Sequence, residues 1–254
     1  AIEVCSALVQ AGAIVDPVLT QGALAFVGSR SFNALTRQPV HTSQWEPWTP
    51  ETAGHVTLAH EASAVLIVPA TAQTLARLAL GLTDNLLATL ALATTAPLIV
   101  APAMEHNMWN HPTTQNHVRV LRDRGAVIVG PETGRLASGD VGDGRLAAPT
   151  TIVEALRYVL GRNGPLSGKK IVVSAGPTQE PLDPVRYLGN RSSGKTGYSL
   201  VQSLIDRGAD VHLVTGPVAL APPYGADVTR VSTALEMLAA VEATAKMNTI
   251  INWA

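Results

Sequence analysis

Gly189-Asn-Arg-Ser-Ser-Gly-Lys-Thr196, GNRSSGKT, satisfies G-x-x-x-x-G-K-[ST] at every position. That is the spacing of a P-loop, whose backbone N–H groups and lysine cradle nucleotide phosphates. A P-loop needs a buried strand running into its first glycine and a helix opening at the Lys-Ser/Thr pair. The helix is there, since Gly197 to Arg207 carries apolar residues at helical spacing. The strand is not. Glu180-Pro-Leu-Asp-Pro-Val-Arg-Tyr-Leu188 holds two prolines, an arginine and two acids, and the nearest apolar run ends at Ser174. Nor does an aspartate close a downstream apolar strand to hold Mg²⁺, because Asp210-Val-His-Leu-Val-Thr215 runs into glycine. The stretch reads as a helix N-terminus after a long loop.

Outward from it, strands and helices alternate. Downstream lie strand Asp210 to Thr215, strand Asp227 to Val231, helix Ala234 to Thr244 and strand Thr249 to Asn252; upstream lies strand Lys170 to Ser174. This is a Rossmann-like α/β unit seen in part. Gly161 to Gly168 is polar and rich in glycine, a linker signal. The expected division is residues 1–162, a linker at 163–168, and a second domain over 169–254. In the first, a helix from Ile2 to Val9 precedes strand Ala13 to Leu19. Strands follow at Ala64 to Val68, Pro97 to Ala101 and Ala126 to Val129. Helices are expected at Thr71 to Leu80, Leu86 to Ala93, Pro112 to Arg124 and Thr151 to Leu160, with a glycine-rich loop from Gly130 to Arg145. The rhythm is that of a doubly wound parallel sheet, flavodoxin-like or Rossmann-like. Such sheets bind ligands at the carboxyl ends of their strands. An opening helix without a strand before it, and a last strand that stops at Asn252, read as two cut ends.

The 254 residues are 46% hydrophobic and 15% charged, enough apolar content for sizeable cores. Net charge is −1 and no Lys/Arg block occurs, which argues against nucleic acid or an anionic membrane as partner. The single cysteine, Cys5, excludes an intrachain disulfide and fits a reducing cytoplasm. The most apolar region, Ala62 to Met104, is broken by Pro69, Arg77, Gly81, Asp84, Asn85 and Pro97, so no span of ~20 residues fits it.

The long loop before the helix carries more. Ser174-Ala-Gly-Pro-Thr-Gln-Glu-Pro-Leu-Asp-Pro-Val-Arg-Tyr-Leu-Gly-Asn-Arg-Ser-Ser-Gly-Lys-Thr-Gly197 closely resembles the signature of the phosphopantothenoylcysteine synthetase family. In bacteria that enzyme commonly follows a flavin-dependent phosphopantothenoylcysteine decarboxylase on one chain, and the first half resembles that family. Gly54-His-Val-Thr-Leu-Ala59 looks like its G-H-I-x-L-A, and Pro69-Ala-Thr-Ala-Gln-Thr74 with Asp84-Asn-Leu-Leu87 like its flavin-binding run. Ala101-Pro-Ala-Met-Glu-His-Asn-Met-Trp109 resembles P-A-M-N-x-x-M-W. Gly134-Arg-Leu-Ala-Ser-Gly-Asp-Val-Gly-Asp-Gly-Arg145 resembles the substrate flap G-x-L-A-C-G-x-x-G-x-G-R.

The resemblance implies FMN as cofactor, oxidation of the substrate's cysteine thiol, loss of carbon dioxide from the thioaldehyde, and return of the electrons. It implies His55 as general base. A lone histidine is commonly packing or surface, but an imidazole exchanges protons near neutral pH. Thr71, Ala72, Gln73 and Thr74 become FMN contacts, beside the plainer reading of Thr71 as a helix cap. A helix N-terminus favours anions in either case. Thr20 and Ala103 match further FMN contacts, while Asp84 and Asn85 divide between cofactor contact and helix capping. Substrate is assigned to Met104, Glu105, Asn107, Met108, Gly139 and Arg145.

Two residues depart from the family. Glu105 replaces the amide that donates to the substrate carboxylate; ionised it would repel that group, neutral it could donate. Ser138 replaces the flap cysteine that supplies the last proton, which a hydroxyl gives up far less easily than a thiol. Asn107 is a candidate substitute for Glu105.

In the second half the resemblance implies ligation of 4′-phosphopantothenate to cysteine with CTP and Mg²⁺. Asn190 is assigned to the acyl-nucleotide step and Arg191, Ser192 and Ser193 to substrate. Gly176, Thr178, Asn252, Trp253 and Ala254 are assigned to nucleotide, and no resident metal site is expected. Small-molecule substrates and a homo-oligomer are the expected partners. A flavin-binding regulatory or scaffold protein stays open as a second class, while the synthetase-like motif argues strongly against a third, a flavoenzyme decarboxylating peptide C-terminal cysteines.

Overall fold

The computed structural model describes residues 1–45, 54–245 and 249–252. The chain divides into two compact units, Ala1–Leu156 and Arg157–Ala254.

The first unit opens with α1 (Ile2–Gln10), α2 (Gln21–Leu24), α3 (Ser29–Thr36) and α4 (Gly54–Glu61). Then come β1 (Val65–Ala70), α5 (Ala72–Leu80), α6 (Leu86–Ala93), β2 (Leu98–Pro102), α7 (His106–Asn110), α8 (Pro112–Asp123) and β3 (Val127–Ile128). β4 (Glu132–Arg135) and β5 (Val141–Arg145) follow, and α9 (Pro149–Gly161) crosses the boundary between units. β1, β2 and β3 form a parallel sheet in that order, with Val65 opposite Leu98 and Ile99 opposite Val127.

Side-chain alternation along the strands covers both sheet faces. Val65, Ile67 and Val100 meet Leu75 and Leu78 of α5, Leu90 of α6 and Val118 and Leu121 of α8. Ile99 and Ala101 point the other way and are fully buried as well. α5 is held by local rules and by this core together. Thr71 caps it, its Oγ1 accepting from Thr74 N at 3.3 Å, and Leu75, Leu78 and Ala79 form its buried stripe. Truncating Leu75, which is completely buried, to alanine costs roughly 2–5 kcal/mol.

The second unit contains β6 (Lys170–Ala175), β7 (Gln179–Pro181), β8 (Tyr187–Gly189), α10 (Lys195–Ile205), β9 (Asp210–Thr215), β10 (Asp227–Arg230), α11 (Ala234–Ala245) and β11 (Thr249–Asn252). Its sheet is parallel in the order β10-β9-β6-β11. Tyr198, Val201, Leu204 and Ile205 of α10 pack on Val173, Val211 and Leu213. α10 sits so close to β6 that a β-carbon on Gly197 would lie 2.5 Å from that of Ala175. Only glycine permits that approach.

Three expectations are corrected. Ala13 to Leu19 is not a strand: Val18 makes one isolated parallel bridge, to His41. His41 N donates to Pro17 O at 2.9 Å and Leu19 N to His41 O at 2.8 Å, but Pro17 lacks the N–H that would carry the ladder toward Pro39. The glycine-rich loop from Gly130 to Arg145 contains the antiparallel hairpin β4–β5. The long loop before GNRSSGKT holds a second hairpin, β7–β8. β8 does run into Gly189, yet it is exposed and lies outside the parallel sheet, so the strand a P-loop requires is missing. Among the described residues no helix is long and apolar enough to cross a membrane.

Candidate flavin and substrate site

Three turns meet at the carboxyl edge of the first sheet. β1 ends at Ala70 and hands the chain to Thr71 and the N-terminus of α5. Thr71 and Thr74 hydroxyls are 3.1 Å apart. The first helical turn leaves the N–H groups of Ala72 and Gln73 without an intrahelical acceptor. β2 ends beside it: Ala103 N donates to Ala70 O at 3.0 Å. From there Met104 N donates to Gly144 O at 2.9 Å, which brings in the β4–β5 hairpin. Open helix N–H groups flanked by two hydroxyls fit the phosphate of a flavin mononucleotide.

The hairpin's glycines are explained by this docking. A β-carbon on Gly144, whose φ is +140°, would lie 2.2 Å from Met104 O; one on Gly142 would lie 2.7 Å from His106 Nδ1. Val-Gly-Asp-Gly-Arg145 thus alternates because one side of β5 lies against residues Met104 to His106. Sequence reasoning misses His106. Its ring packs on Gly142, and its Nδ1 accepts from Asp143 N at 3.1 Å. Nothing local in the sequence signals that contact. Arg145 crosses over Gly134. Ser138 and Gly139 form the exposed turn at the tip, closed by Gly139 N to Leu136 O at 3.0 Å.

Glu105 caps α7. Its Oε2 accepts from Asn107 N at 2.8 Å and Met108 N at 3.2 Å, and its Oε1 from Asn107 Nδ2 at 3.1 Å. The two residues weighed for the same carboxylate contact are therefore tied to each other. Met108 is half exposed. Asn85 accepts from Ala88 N at 3.0 Å as the cap of α6. Asp84 forms a two-pronged pair with Arg77 at 2.8–3.0 Å, and hydrogen bonding from that guanidinium holds its carboxyl below the usual range. Asn85 therefore has the partner that the capping reading supplies, whereas Asp84 is held by Arg77 and caps no helix.

His55 is the second residue of α4 and half-buried. Thr94 Oγ1, at the end of α6, donates to Ala59 O at 2.9 Å, and each helix turns directly into a strand. That bond ties the C-terminal turn of α4 to the end of α6, and the two helices pack together. Thr20 caps α2, accepting from Ala23 N at 3.2 Å. Among the described residues no hydrogen bond joins Thr20 or His55 to the three converging turns.

In the second unit, Gly176 and Ser192 to Gly197 line a cleft of about 100 Å³ at the N-terminus of α10. Asn190 Oδ1 accepts from Ser192 N at 2.9 Å, shaping the turn. Arg191, Ser192 and Ser193 are exposed, and Thr178 is half-buried beside Gly189. Asn252 ends β11, while Trp253 and Ala254 lie outside the described residues. Among the described residues no three His, Cys, Asp or Glu side chains gather as a metal site.

Residues 1–161 match the family model described as Flavoprotein. The chain belongs to the flavoprotein family. Residues 166–254 match the model of the DNA/pantothenate metabolism flavoprotein C-terminal domain. The coenzyme A biosynthesis bifunctional protein CoaBC of Escherichia coli K12 is 42% identical over 239 residues, and that of Bacillus subtilis 41%. These cover 94% and 93% of this flavoprotein, which spans 59% of the length of either relative. Among solved structures, a serine-for-cysteine mutant of PPC decarboxylase complexed with pantothenoylaminoethenethiol is 35% identical with a TM-score of 0.54, covering 61% of this chain and 86% of its own. The FMN binding protein AtHal3 is 32% identical with a TM-score of 0.51, covering 62% and 90%. The flavodoxin-like parallel sheet expected from the alternating pattern is the fold of this family.

Proposed function

We propose that the first unit is an FMN-dependent decarboxylase acting on 4′-phosphopantothenoylcysteine to give 4′-phosphopantetheine. The observation that carries this is the hydrogen-bonded meeting of the α5 N-terminus, the Ala103–Glu105 turn and the flap hairpin at one sheet edge, in a flavoprotein similar to CoaBC proteins and to a PPC decarboxylase. Thr71, Ala72, Gln73 and Thr74 would hold the FMN phosphate, with Thr20 and Ala103 beside the cofactor. Bound FMN supplies a two-electron acceptor that makes carbon dioxide loss from the cysteine carboxylate possible and then returns the electrons. His55 takes the thiol proton. Met104, Glu105, Asn107, Met108, Gly139 and Arg145 surround the substrate, and Ser138 stands over it on the flap.

The second unit contributes to joining 4′-phosphopantothenate and cysteine, with CTP and Mg²⁺ as nucleotide and ion. Asn190 serves the acyl-nucleotide step; Arg191, Ser192 and Ser193 hold substrate. Gly176, Thr178 and the segment Asn252 to Ala254 serve the nucleotide. Both steps belong to coenzyme A biosynthesis. The protein works as a homo-oligomer in the cytoplasm on small molecules.

Glu105 and Ser138 favour a second reading, a flavin-binding protein of this fold without decarboxylation, because the acceptor oxygens of Glu105 already serve its own helix. Incubating the intact, FMN-loaded protein with 4′-phosphopantothenoylcysteine and following the products by mass spectrometry separates the two. Decarboxylated product supports the enzyme; unchanged substrate supports the binding protein. His55→Asn should keep the yellow flavin and abolish turnover, and a protein that takes up no FMN refutes both readings.

A further inference from the structure

We infer that His106 is a positioning residue that latches the flap hairpin to α7 and so sets how readily the flap closes over substrate. The idea that the flap covers substrate rests on the proposed decarboxylase reading; the latch itself stands on geometry alone. Its parts are three. Asp143 N donates to His106 Nδ1 at 3.1 Å. The ring lies on Gly142, where a β-carbon would come within 2.7 Å of Nδ1 and 2.9 Å of Cγ. Asn110, one helical turn on, donates from Nδ2 to His106 O at 3.1 Å, and the same Nδ2 stands 3.2 Å from the Nδ1 acceptor.

The neighbouring link, Met104 N to Gly144 O, joins backbone to backbone and is available to any residue at 104. Among the described residues, His106 is the α7 side chain that hydrogen-bonds to the flap. Two demands meet there. The position needs an acceptor for the Asp143 N–H, so Nδ1 must carry a lone pair and the ring proton sits on Nε2. It also needs a flat group that can rest on a glycine. Phenylalanine meets only the second demand and asparagine only the first. His106 falls at an unspecified place in P-A-M-N-x-x-M-W, so the latch adjusts closure without touching the residues assigned to substrate.

Hydrogen exchange of the flap in the intact protein without substrate, paired with steady-state turnover of 4′-phosphopantothenoylcysteine, tests this. In His106→Phe the flap peptides spanning 136–145 should exchange about fivefold faster, the worth of one hydrogen bond. KM should rise by about the same factor with kcat nearly constant. His106→Asn should regain most of the protection and most of the KM. Unchanged flap exchange in His106→Phe would overturn the latch, as would a fall in kcat at constant KM. If the peptide over β1 also loses protection in His106→Phe, the fold has been disturbed. His106→Asn then decides: flap exchange as in wild type upholds the latch, and fast flap exchange over a protected β1 overturns it. Because exchange needs no substrate, a wild type that fails to turn over the substrate sinks the decarboxylase reading and leaves the latch to the exchange result.

Discussion

The N–H of Met104 donates to the carbonyl of Gly144 at 2.9 Å, and the carbonyl oxygen of Met104 stands 2.2 Å from where a side chain on Gly144 would begin. The flap therefore docks on the end of β2 only with glycine at 144. Gly144→Ala also meets the strain of φ +140°. The expected outcome is intact flavin uptake and circular dichroism with KM raised at least about fivefold, in line with ~1–3 kcal/mol of backbone strain. Wild-type KM in this variant would mean the flap does not dock on β2 during turnover.

Ser138 gives a sharper test. On the exposed flap tip its hydroxyl replaces the thiol that the family pattern carries. If no other group delivers the last proton, the intact protein should stall or slow after carbon dioxide loss and release an oxidised enethiol with its flavin left reduced, and Ser138→Cys should restore reduced 4′-phosphopantetheine. The similar PPC decarboxylase mutant bearing serine for cysteine is found with an enethiol bound. Clean phosphopantetheine from wild type, at the rate of Ser138→Cys, would show that another group delivers the proton.

GNRSSGKT should not behave as a P-loop. β8 is exposed and Lys195 opens α10 on the surface, so on the proposed ligase reading Lys195→Ala in a full-length chain should leave CTP affinity within about fivefold, the ceiling for one exposed charge. Asn190→Asp keeps the acceptor that shapes the turn with Ser192 N and adds only charge. It should impair acyl-nucleotide turnover more than CTP binding. Calorimetry showing CTP binding abolished by Lys195→Ala, with synthesis untouched in Asn190→Asp, would restore the P-loop reading.

The start of α11 makes stability depend on pH. Thr233 and Glu236 form a capping box: Glu236 Oε2 accepts from Ser232 N at 2.7 Å and Thr233 N at 3.2 Å, and Glu236 N donates to Thr233 Oγ1 at 3.2 Å. The Ser232 N–H, then that of Thr233, holds the Glu236 carboxyl below its usual range. A folded-state value below the unfolded ~4.3 adds stability above that pH and loses it as pH falls through the folded value. Wild type should therefore melt above Glu236→Gln at pH 7, and the gap should narrow at acid pH, as pH falls through the folded value. A gap of equal size at both pH values would rule out the charged cap.

Much of this protein is legible in its residues alone. Two prolines in Glu180 to Leu188 are enough to reject a core strand before GNRSSGKT, because proline has no N–H for a ladder. Thr71 announces its helix, since a threonine ahead of an i, i+3, i+4 apolar stripe caps the helix it precedes. Both signals act between near neighbours in the chain. The β4–β5 hairpin is not legible: Val-Gly-Asp-Gly-Arg145 has neither the apolar alternation nor the propensity of a strand. Its pairing with Glu132 to Arg135 and its docking on Met104 and His106 make it one. Pro17 likewise overrules an apolar run that reads as a strand. His106 meets Asp143 from 37 residues away, and no local pattern can specify such a contact. Turn chemistry and hydrophobic period determined the elements and their order, because they depend on adjacent residues. Only the folded chain decided which glycines bear on which side chains, because that depends on which strand ends the sheet brings within a few ångströms.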